Sequence, residues 1–193
     1  MVMLLPLLMA YSLIGERFHE IASSLMLVLF VVHHRLNRTW TRNLFRGRYT
    51  VRRVFQAAVN LLLMIFMIMQ PVCGILMSKH LYDFLPTAGL ADIVRSIHLP
   101  LANWGFILMS LHAGTHLGSM LPKKARNTWL TCLAAISLYG IFAFFKRRIP
   151  DYMFLKQAFV FFDYGEPLVF FLVDYVAVII LFVMAGYLLT RSN

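Results

Sequence analysis

Between Arg53 and Lys79 the chain carries no charged residue, and the run from Leu61 to Met69 within it is wholly apolar. A stretch of that length crosses the roughly 30 Å hydrocarbon core of a bilayer as a single helix, since about 20 residues at 1.5 Å each suffice. Inside lipid the backbone must satisfy its own hydrogen bonds, which leaves only helices and closed barrels. Composition points the same way: of 193 residues, 61% are hydrophobic and 13% charged, against roughly 25% charged in a soluble domain. A soluble domain this short keeps too much surface exposed to hide so many apolar side chains. Soluble enzymes, nucleic-acid binders and disordered chains are thereby set aside, and the first partner expected is membrane lipid. The net charge of +10 reads as cytoplasmic loops rather than as a polyanion footprint. Cys73 and Cys132 lie in apolar runs without a Cys-x-x-Cys, so the chain alone builds no c-type haem attachment, thiolate zinc site or iron–sulfur cluster.

Charge clusters divide the chain into six expected spans: 1–14, 18–36, 54–77, 96–120, 128–145 and 167–189. The expected fold is an all-α, single-domain bundle of six transmembrane helices over 1–193. The first span is short, about 21 Å, and is read as tilted or thinned; a signal peptide is the alternative, without a basic start or a small-x-small cleavage site. Residues 150–167 are too polar to span but rich in Phe and Tyr, which suits a helix lying in the interface. Alternation puts Arg35, Arg38, Arg42, Arg46, Arg48, Arg52, Arg53, Lys123, Lys124, Arg126 and Arg191 on one side, with Trp40, Phe45 and Tyr49 interleaved. Arg17, Lys79, Arg95, Lys146, Arg147, Arg148 and Lys156 fall on the other. The richer side is expected to be cytoplasmic, with both termini inside. The cluster Lys146–Arg148 runs against that orientation.

The histidines are the most informative residues. Six of the seven fall on two spans: His19, His33 and His34 on the second, His98, His112 and His116 on the fourth or at its end, with only His80 in a loop. Imidazoles within a membrane are costly and mark function by default. His19 and His33 are fourteen residues apart, and so are His98 and His112. Fourteen residues fall about 40° short of four full turns and rise about 21 Å, so each pair shares a helix face and nearly spans the membrane. One intervening span makes the second and fourth parallel. His19 then meets His98 near the outer face, and His33 meets His112 near the inner face. Two stacked bis-imidazole levels are what two b haems need, a planar macrocycle slotted between two helices with one axial nitrogen from each. His34 and His116 remain alternates for the inner pair, or neighbours serving a proton or quinone site. Gly105, midway between His98 and His112, leaves room for a porphyrin edge. Arg17 and Arg95 on the outer side, and Arg35 and Arg38 on the inner, are candidate propionate partners. Asp174, inside the sixth span, is either a proton or quinone site or an acid reaching interfacial water.

Several stretches carry a family likeness: His19-Glu20 opening a helix, His33-His34-Arg35-Leu36-Asn37 closing it, Leu111-His112-Ala113-Gly114-Thr115-His116, and Phe159-Val160-Phe161-Phe162-Asp163-Tyr164. On these the chain resembles the small bacterial flavinylation-associated cytochromes, a branch of the transmembrane di-haem b cytochromes. The resemblance implies electron transfer across a bacterial cytoplasmic membrane, with redox partner proteins that include an extracytoplasmic flavoprotein.

Three rival classes are weighed against it. A diiron oxygenase or desaturase is suggested by His112-x3-His116 and His33-His34, but the family expectation of about eight histidines on one face meets only four here. A zinc protease is suggested by His19-Glu20, yet the H-E-x-x-H pattern has Ser23 where the second histidine belongs. A cofactor-free carrier leaves four aligned histidines unexplained.

Overall fold

The computed structural model describes residues 1–44, 46–85, 89–157 and 159–191; Phe45 and part of the polar loop between Lys79 and Arg95 lie outside the described residues. Every regular element among the described residues is helical. A 3-10 turn Val2–Leu4 leads into α1 (Leu5–Met9) and α2 (Tyr11–Ile14). There follow α3 (Glu16–Leu36), α4 (Arg38–Arg42), α5 (Val51–Leu76), α6 (Ala91–Met120), the 3-10 turn Lys123–Ala125, α7 (Arg126–Lys146), α8 (Ile149–Met153) and α9 (Leu168–Arg191). Three helical segments are long and apolar enough to cross a membrane: Val51–Leu76, Lys123–Lys146 and Leu168–Arg191. The chain is that of a multi-pass membrane protein. At 21 and 30 residues, α3 and α6 reach about 31 and 45 Å, but the polar and charged residues they carry, histidines included, keep them below the same apolarity.

Packing runs as a row, α7 on α9, α9 on α6, α6 on α5, with α3 laid more thinly on α5. The buried centre lies along α6 and α9, where Phe106, Met109, Phe171, Tyr175 and Val178 pack together and the Phe106 and Tyr175 rings meet edge-on at 5.5 Å. Small residues set these crossings, as they do where lipid removes the hydrophobic drive between helices. A Cβ at Gly186 would collide with the Leu111 carbonyl of α6, and one at Gly140 with the Ala177 carbonyl of α9. By contrast α3 turns Phe18, Ile21, Leu25, Val28, Val31 and Val32 outward, an apolar face suited to lipid.

Two expectations are corrected here. Residues 1–14 do not run as one span. Pro6 sits in the first turn of α1, the helix breaks at Ala10, and Gly15 at φ +89° ends α2. That conformation is open to glycine at little cost, and it turns the chain directly into α3. The short pieces pack inward instead, with Leu5 and Ala10 buried. Residues 150–167 are not one interfacial helix either: α8 stops at Met153, and Leu155 takes a left-handed φ of 53°. Farther on, the Gly165 N–H donates to Asp163 Oδ1 at 2.9 Å in a turn, and Pro167 precedes α9.

Candidate functional site

The gap between α3 and α6 is bridged by imidazoles at two levels. His19 and His98 have ring centres 6.4 Å apart with planes at 65°. His33 and His112 have ring centres 6.2 Å apart with planes at 87°. A metal–imidazole bond of about 2.0–2.1 Å puts two imidazoles on opposite sides of one metal at ring-centre distances of about 6 Å, once each nitrogen's offset from its ring centre is added. Both pairs have that separation. Of the alternates, His116 packs edge-on against His112 with ring centres at 5.1 Å, and His34 leans on Phe30 at 6.2 Å. His33 is exposed and His112 half-buried.

Open volume flanks the outer pair. One cleft of about 1010 Å³ runs from His19 and His98 past Gln70 and Gly105 to Met67, Phe106 and Met109. A second of about 1490 Å³ runs the other way, to Arg95, Asn103, Phe162 and Tyr164. His19, Glu20, Gly74, His98 and Ala102 line both, so the imidazole pair stands where they join. Two glycines keep the passage wide: no atom lies within 4 Å of where a Cβ on Gly105 would sit, and one on Gly74 would meet His98 at 4.0 Å. The polar groups at this level are incompletely paired. Gln70 Nε2 lies 3.0 Å from His98 Nε2, while Gln70 Oε1 and His98 Nδ1 are buried without a partner. His19 Nδ1 is likewise buried without a partner. Such unpaired buried groups are expensive, and these border the two clefts. At this level His19 and His98 are the side chains that could hold a group between α3 and α6.

Of the other residues singled out, Arg95 is exposed at the mouth of the second cleft, and Arg17, Arg35 and Arg38 are exposed to solvent. Asp174 does not reach water. It is 1% exposed, lines neither cleft, and accepts from the Tyr139 hydroxyl, from Lys146 Nζ at 2.8 Å and from Arg147 Nε at 2.7 Å. Arg147 in turn holds Glu166 by two hydrogen bonds of 2.6 Å and lies over the Phe171 ring at 4.8 Å. Burial works against the Arg147 charge, but the Glu166 and Asp174 partners outweigh it and hold its pKa above the ordinary arginine value. Among the described residues no three His, Cys, Asp or Glu side chains converge as a metal site, which is what a diiron or zinc centre built from side chains alone requires.

Three contributors escaped the sequence reading. Glu20 ties the segment after α5 to α3, accepting from Ser78 Oγ at 2.7 Å and from the backbone N–H of Lys79 and Leu81 at 2.9 and 2.8 Å. Gln70 and Asn60 bring amides from α5 to the two α6 histidines, Asn60 Oδ1 lying 2.7 Å from His112 Nδ1. The signal available was two amides inside an otherwise apolar, uncharged span. No protein-family model, curated protein or solved structure matches the chain.

Proposed function

We propose that this protein moves electrons across a membrane as a di-haem b cytochrome, with His19 and His98 holding the outer haem and His33 and His112 the inner one. The observation that carries the reading is the repeated pair: two imidazoles from the same two helices, at ring-centre distances of 6.4 and 6.2 Å, at levels about 21 Å apart along each helix. When bound, the haems supply reversible one-electron chemistry, their potentials tuned by the axial imidazoles and the groups around them. The chain's own residues do the rest. The four histidines would hold the haems, Gly74 and Gly105 would leave width at the outer level, and Arg95, at the mouth of the second cleft, would pair with a propionate.

In this reading α3, α5, α6, α7 and α9 cross a bacterial cytoplasmic membrane, and residues 1–14 enter the bundle without crossing. The basic cluster Arg35–Arg53 and Arg191 face the cytoplasm. The donor is a quinol or a cytoplasmic-side reductant, and the acceptor lies outside, a flavoprotein in keeping with the family resemblance. The chain is a redox subunit rather than a stand-alone enzyme. A pyridine haemochrome assay on purified protein reports two haem b per chain, and His19→Ala or His98→Ala each lowers this to one while His33→Ala removes the other. One haem or none in the unaltered protein overturns the proposal.

A further inference from the structure

Asn60 is an odd residue for its place. It lies between Val59 and Leu61 in α5, and an amide in such surroundings destabilises unless it is hydrogen-bonded. Its partner is not the helix backbone. The contact is His112 Nδ1, at 2.7 Å from Asn60 Oδ1. An amide oxygen only accepts, so this bond requires the imidazole proton on Nδ1. A neutral imidazole carries one N–H and one bare nitrogen, and the lone pair of His112 is therefore left on Nε2. The same bond limits the ring's rotation, because turning it over would bring the Cδ2–H in place of the Nδ1–H to the amide oxygen. His116, one turn along the same helix, is exposed, and its ring lies against His112.

We propose that Asn60 is the positioning residue of the inner level: it holds His112 in the Nδ1–H tautomer, leaves Nε2 as the nitrogen for a haem iron, and thereby selects His112 over His116. The proposal rests on the di-haem reading and deepens it. A partner on the non-ligating nitrogen fixes tautomer and orientation and raises ligand basicity.

The test separates the two ideas. In haem-free protein in detergent, labelled with 15N-histidine and assigned by loss of one signal in His112→Gln, His112 is expected in the Nδ1–H tautomer. Asn60→Leu, close in volume and without an acceptor, shifts it to Nε2–H, and Asn60→Asp, which keeps an acceptor oxygen, does not. After loading with haem b, Asn60→Leu weakens retention of one haem about 10–100-fold and moves that haem's low-spin electron paramagnetic resonance signal. Asn60→Asp restores retention, and His116→Ala leaves the signal in place. An Nε2–H tautomer in the unaltered protein, an unchanged tautomer in Asn60→Leu, or loss of the signal in His116→Ala overturns the proposal. Nδ1–H on His112 in a protein that binds fewer than two haems overturns the di-haem reading and supports the Asn60–His112 pairing, so the two failures are distinguishable.

Discussion

Asp174 shows at the residue level how the surroundings of an acid depend on residues distant in sequence. An acid within a span is a functional candidate by default, and nothing in the local sequence names its partners. Those partners come from the end of α7 and from the approach to α9, 27, 28 and 8 residues away for Arg147, Lys146 and Glu166. Two cations and two carboxylates close on one another and join the α7–α9 turn to the body of α9. Lys146 and Arg147 are both held by carboxylates. Asp174→Asn should lower stability by about 2–3 kcal/mol, since it weakens hydrogen bonds to charged groups around a buried carboxylate. Tyr139→Phe, which removes one donor, should cost about 1 kcal/mol. Denaturation midpoints in detergent report both. An unfolding midpoint that does not move in Asp174→Asn, together with lost electron transfer, would return Asp174 to a proton-handling role.

Among the elements, α3 and α9 are opposites. Ten residues of α9 are buried, and only Ala22 and Met26 of α3. α3 leans on α5 and on the short N-terminal helices, while the open clefts lie on its histidine side. A helix with few buried contacts opens locally at low free energy, and a ligand held between it and its neighbour stabilises it by mass action. Backbone amides of α3 in haem-free protein should exchange with solvent faster than those of α6 and α9. Adding haem b should slow α3 most. Equal protection of all three helices before and after addition would mean that α3 is not held through the histidine pairs. The N-terminal helices belong to the same picture, because Leu5, Leu8 and Met9 wall the first cleft where a straight span was expected.

For the whole molecule, the proposed di-haem function makes conduction across the membrane the property to measure. Sealed proteoliposomes with a reductant inside and an impermeant acceptor outside should transfer electrons when the protein is loaded with haem b. Rates should fall to the protein-free background in His19→Ala, which breaks the outer pair and leaves the inner one. Equal rates for the two proteins would exclude conduction through these sites.

Membrane character and the shared helical face of each histidine pair were determined by the sequence alone. Both follow from local physics: the price of charge in hydrocarbon, and a fixed rise and rotation per residue that place residues fourteen apart on one face. The boundaries of α5, α7 and α9 were legible for the same reason, within a few residues. The tertiary structure decided what depends on residues distant in sequence. Asn60 meeting His112, Gln70 meeting His98, Glu20 fastening the segment after α5 and Asp174 joining Lys146 to Arg147 all cross between helices, and no periodicity reports which faces meet. Nor does composition reveal that an apolar stretch will break. Residues 1–14 are as apolar as a span, yet Pro6, the break at Ala10 and the positive φ of Gly15 fold them inward against α3 and α9, where they wall a cleft.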